Sequence, residues 1–164
     1  MATYSADLIA DYFRALANPE FGDVLSNLKL QKLCYYAAGL IAAVRQNDDD
    51  PLFAEPIEAW QHGPVVPAQY FRFREYGSGD IPPITGLDIE TVAANDRLVL
   101  DDVYNYYGQY SAWKLRNMTH EEAPWITAFA RDDKRIYVSE LREYFSSEVS
   151  PEYVASYHEA GQRQ

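Results

Sequence analysis

The chain has 164 residues, 48% of them hydrophobic, with 25 acidic against 14 basic side chains and a formal net charge of −11. That length suits one core, while the hydrophobic content excludes a disordered chain and the charge argues against binding driven by nucleic-acid phosphates. The longest apolar run, Ala37 to Val44, is too short to cross a bilayer, and Cys34, the only cysteine, excludes an internal disulfide or a cysteine metal cluster.

Ser5 is placed to cap a first helix with Leu8, Ile9, Tyr12, Phe13 and Leu16 on one stripe, and Asn18-Pro19 ends it. Ser26 or Asn27 caps the longest helical pattern, about 28–46. Leu30, Leu33, Ala37, Leu40, Ile41 and Val44 share one arc of it, with Cys34 as a small apolar residue on the same side. The opposite arc is hardly more polar: Tyr35, Ala38, Gly39, Ala42 and Ala43 lie beside Gln31 and Lys32. A helix apolar on most sides is central and buried, and any part left open would form a partner groove. Asn47 to Pro51 reads as an acidic surface turn and Ile57 to Trp60 as a short strand. Gly63-Pro64 breaks that strand, and Pro67 starts a helix through Tyr76.

Residues 77–83 (GSGDIPP) read as a loop, and the alternation of Leu87 and Ile89 points to a strand within 87–91. Asn95 opens a helix that carries Leu98, Val103, Tyr106 and Tyr107 and stops at Gly108; Ser111 starts another, through Met118. Thr119-His120-Glu121-Glu122 has capping-box spacing and leads into a helix through Ala130. Residues 136–138 could pair as a strand, and Ser139 opens a helix with Leu141, Tyr144 and Phe145. Ser150-Pro151-Glu152 begins a last helix, about 150–160, which Gly161 ends. The sum is a mainly α, single-domain helical bundle around the buried helix at about 28–46, with short β-strands near 57–60, 87–91 and 136–138.

Little in the chain assembles chemistry. His62, His120 and His158 lack metal-ligand spacing, there is no HExxH and no GxSxG, and Gly77-Ser-Gly79 lacks the Lys-Ser/Thr of a phosphate loop. The expectation is no enzyme, no cofactor and no metal. The aromatic residues, 15% of the chain, say more. Tyr104, Tyr106, Tyr107 and Tyr110 fall within seven residues, so one helix cannot bury them all on one side, and some must line a loop, groove or contact.

Three segments in order resemble the Panacea domain of SocA-like, often prophage-associated antitoxins. The first is Asn27 to Leu33 (NLKLQKL) followed by Cys34-Tyr35-Tyr36-Ala37 and Gly39. The second is Leu52-Phe53, Ile57 to Trp60 (IEAW), Gly63 to Pro67 (GPVVP) and Tyr70. The third is Ser111-Ala112, Leu115, Thr119-His120, Pro124-Trp125 and Ala128. The likeness runs over about 7–145 and leaves the last helix outside the shared pattern.

The resemblance implies a cytoplasmic antitoxin that neutralises a cognate protein toxin, encoded by an adjacent gene, through direct contact; homo-oligomers are compatible with this. An alternative is a proteolytic adaptor that hands a bound toxin to an ATP-dependent protease. More remote alternatives are a metal-dependent hydrolase using His62, His120 and Glu121, and a DNA-binding autorepressor. Among the matched positions, Gln31, Lys32, Tyr35, Tyr36, His62 and His120 are the candidate partner contacts. Leu28, Leu30, Leu33, Trp60 and Trp125 are expected to pack the core, as are Thr119 and Pro124 to shape the motif. Gly63, Pro64 and Pro67 are expected to set a turn and a helix start.

Overall fold

The computed structural model describes residues 2–162, within which there are eight α-helices and one small antiparallel sheet. The central element is α2 (Asn27–Arg45). The Ser26 hydroxyl accepts from the Lys29 amide at its start, and Gln46, left-handed at φ 57°, closes its end. Every residue from Leu30 to Gly39 is buried. The other elements pack around it: α1 (Ala6–Leu16), α3 (Pro67–Phe73), α4 (Ala94–Tyr107), α5 (Ala112–Thr119), α7 (Val138–Phe145) and α8 (Pro151–Gln162). The closest approach is to α7, at Gly39, where an added Cβ would run into the Phe145 ring. A glycine here lets two helix backbones come together over an aromatic side chain.

The sheet has the order β2-β1-β3. β1 (Ile57–Trp60) pairs with β2 (Gly63–Val65) and with β3 (Arg135–Ile136). Trp60 lies opposite Gly63, so Gln61 and His62 form a two-residue hairpin loop. The expected break at Gly63-Pro64 is therefore a strand in its own right. Pro64, which has no amide to donate, is tolerated on an edge strand, and Gly63 takes φ 108°, a conformation that side-chain-bearing residues avoid. α6 (Ala123–Phe129) covers β1 and β3 and reaches α7.

Several expected elements differ. No strand forms at 87–91; Ile89–Thr91 is a single 3-10 turn. The Asp88 carboxylate accepts from the Glu90 amide and the Thr91 hydroxyl donates to the Asp88 carbonyl, local bonds that replace a ladder. The strand expected at 136–138 ends at Ile136, because the Glu140 carboxylate accepts the Tyr137 amide and starts α7 there. Thr119-x-x-Glu122 is not a capping box. Thr119 ends α5 with its hydroxyl bonded to the Arg116 carbonyl, and Glu122 precedes α6 with its carboxylate turned inward. On α4 the buried face is Asn95, Asp96, Val99, Leu100 and Val103, while Leu98 and Tyr106 face solvent. Gly161 does not end α8, which runs on to Gln162.

Candidate functional site

The matched segments converge where the first turns of α2 run beneath the β1–β2 hairpin. The Asn27 side-chain amide donates to the Tyr70 carbonyl (3.1 Å) and its oxygen accepts from Gln31 Nε2 (2.8 Å). Gln31 Oε1 accepts the Val66 amide (3.0 Å), and Lys32 Nζ donates to the Pro64 carbonyl (2.9 Å). Gln31 and Lys32 thus satisfy backbone groups of β2 and of the turn into α3, and Asn27 one within α3 itself. Gln31 and Lys32 are therefore buried fasteners between helix and hairpin, where exposed contacts were expected. Among the described residues no carboxylate forms an ion pair with Lys32. Burial, assisted by the nearby Arg116 charge, pulls its ammonium down to about 7.

Tyr35 and Tyr36 are also buried, and both hydroxyls donate to the Glu122 carboxylate, each at 2.9 Å. Burial lifts the Glu122 carboxyl to about 7, against the opposing pull of the two phenols. These two candidate partner contacts are therefore interior, since helical spacing shows which residues share a face but not which faces are covered. Cys34 is fully enclosed, and burial pushes its thiol up to about 12, far from a nucleophile's range.

His62, at the hairpin tip, is exposed. Its ring lies 5.7 Å from that of Trp113, and its Nδ1 accepts from Arg116 Nε at 3.3 Å. The Arg116 guanidinium sits 4.4 Å above the Trp113 ring. His120 is half-buried and stacks on Trp125 at 4.0 Å, which in turn donates its indole N–H to the Trp60 carbonyl (2.8 Å). Burial and the neighbouring Arg116 hold the His120 imidazole below its ordinary pKa. Trp60 and Trp125 are each only partly covered, and Leu28 is half-exposed; Leu30 and Leu33 are core.

Between the start of α2, the hairpin and the end of α3 lies a groove of about 470 Å³, lined by Leu28, Trp60, His62, Val65, Tyr70 and Arg74 among others. Aromatic rings extend it on both sides. Trp60 meets Tyr70 at 5.0 Å and Phe71 at 6.2 Å, while His62 meets Trp113. Phe71 and Trp113 are each 54% exposed. Aromatic side chains and arginine around a concave apolar centre are the composition that anchors protein–protein contacts. The sequence reading missed Phe71, Arg74, Trp113 and Arg116. Trp113 carried a legible signal, a large ring beside Lys114 and Arg116 on a short helix, whereas Phe71 next to Tyr70 did not.

Among the described residues no group of three or more His, Cys, Asp or Glu is arranged to hold a metal ion. No described helix is long and apolar enough to cross a membrane. No curated protein and no solved structure matches the chain. A family model described as "Antitoxin SocA-like, Panacea domain" matches residues 30–126, from the first turn of α2 into α6 and through the whole hairpin. That span is more than half of the sequence, and the chain belongs to the SocA-like antitoxin family as a Panacea domain.

Proposed function

We propose that this protein neutralises a cognate protein toxin by direct binding, and that the aromatic face around the hairpin groove is the contact surface. Membership of the antitoxin family supports an antitoxin role in general. The observation that favours this face is the run of partly exposed rings, Phe71, Tyr70, Trp60, His62 and Trp113, over a groove built from the matched segments. A stable complex buries about 800 Å² on each partner, with most of the energy in a few aromatic and arginine anchors. Gln31 and Lys32 contribute indirectly, by holding the hairpin that presents His62. His120 supports the same surface from beneath, through its stack on Trp125.

The test is co-expression with the product of the adjacent gene. Toxicity of that product alone, rescue by this chain and co-purification of the two are the expected results. Trp113→Ala and Phe71→Ala, both at exposed positions, should each weaken the complex by about 1–3 kcal/mol while leaving thermal unfolding unchanged. A complex that survives both substitutions moves the interface elsewhere. Rescue that depends on an ATP-dependent protease, with a shortened lifetime of the partner, would replace simple neutralisation by delivery for degradation.

A further inference from the structure

A second groove, of about 520 Å³, shares no lining residue with the first. It opens where Leu40 of α2, the C-terminal half of α4, the segment after α7 and the start of α8 meet. Its walls combine two kinds of group. Tyr106, Tyr107 and Tyr153 contribute rings, and Asp102 and Glu148 contribute carboxylates; among the described residues no Lys, Arg or His lines it.

The rings are held in place before any ligand arrives. Tyr107 stacks on buried Tyr36 at 3.7 Å, Tyr106 stands edge-on to Tyr107 at 4.8 Å, and the Tyr153 hydroxyl donates to Asp102 Oδ2 at 2.7 Å. Tyr106 is 55% exposed, so its ring is open to a partner. Glu148 lines the same groove as Tyr106 and Tyr107, which puts its carboxylate on the wall beside the rings.

Aromatic faces and carboxylates attract the same species, a cation, and the attraction strengthens as water is displaced. Leu40 and Val149 supply the apolar strip along which the methylene stem of a long basic side chain would lie. We propose that this groove binds the lysine or arginine side chain of a basic segment presented by a protein partner. Charge complementarity selects that occupant: an acidic segment would meet two carboxylates with no compensating base, and a neutral apolar one would strip them of water. The proposal does not depend on the toxin reading or on the hairpin groove.

The full chain is titrated with a blocked peptide of alternating arginine and leucine, and with the same peptide carrying neutral citrulline for arginine, at about 0.15 M salt. Calorimetry gives the affinity, and tyrosine ring resonances give the location. Because a net charge of −11 attracts any basic peptide, Asp102→Asn with Glu148→Gln is compared with Glu90→Gln plus Asp132→Asn, an equal change of charge at exposed positions elsewhere. The arginine peptide should lose about ten-fold in affinity for the groove variant and for Tyr106→Ala, keep it for the control pair, and shift the Tyr106 and Tyr107 resonances. Equal weakening in both double variants, undiminished binding of the citrulline peptide, or shifts centred on Trp113 would overturn the proposal.

Discussion

Gly39 and Lys32, about two turns apart on α2, show how single positions carry this fold. At Gly39 a methyl group would enter the Phe145 ring, so Gly39→Ala should cost about 1–3 kcal/mol in denaturant unfolding through displacement of α7. Unchanged stability would mean that α7 moves aside without resistance. Lys32 and Glu122 make opposite contributions to the dependence of stability on pH. The Glu122 carboxyl is raised from 4.5 to about 7, so the stability it lends is complete below 4.5 and is lost as pH rises towards 7. The Lys32 ammonium is lowered from 10.5 to about 7, so its contribution is complete above 10.5 and is lost as pH falls towards 7. Both groups thus make neutral pH the costly region. Glu122→Gln should flatten the dependence between about 4.5 and 7, and Lys32→Met should flatten it between about 7 and 10.5; unfolding series across these windows check each slope. An Lys32→Met variant with the slope of the parent would show that the ammonium is not the titrating group.

Helices α2, α4 and α8 are joined by a polar knot inside an otherwise apolar bundle. Arg45 Nη2 bonds Asp96 Oδ2 at 3.0 Å, Arg45 Nε bonds the Tyr157 hydroxyl at 3.1 Å, and the Tyr4 hydroxyl reaches Asp96 at 2.6 Å. Arg45 and Asp96 are both buried, and removing Asp96 takes away the shorter of the Arg45 carboxylate pairings, 3.0 Å against 3.4 Å to Asp50. Asp96→Ala should cost about 3–5 kcal/mol, and Tyr157→Phe about 1–2 kcal/mol, in denaturant titrations. A loss below about 1 kcal/mol for Asp96→Ala would mean that water reaches Arg45 in its place. The caps at Ser5, Ser26 and Ser111 were legible because each is a local bond between a hydroxyl and an amide three residues on. The Asp96 knot was not, since its bonded members are separated by up to 112 positions. The absent strand at 87–91 failed for a related reason. Alternation of apolar residues signals a strand only if a partner edge exists, and Asp88 bonded its own neighbours instead.

Over the molecule as a whole, charge and shape act at different ranges. A net charge of −11 accelerates encounter with a basic partner, and salt screens that attraction. For a basic partner, the association rate should fall by about ten-fold between low and high ionic strength, while the dissociation rate changes little. Stopped-flow measurements at several salt concentrations separate the two; a rate insensitive to salt would leave the acidity a matter of solubility. The buried central helix, most element starts and the family likeness could be read from the chain, because periodicity, capping and ordered motifs are properties of neighbouring residues. The division of the motif into fasteners and contacts could not. Gln31 and Lys32 became interior when the hairpin folded over α2, and Tyr35 and Tyr36 when Glu122, Tyr107 and Phe145 closed on them, since burial depends on what distant segments cover.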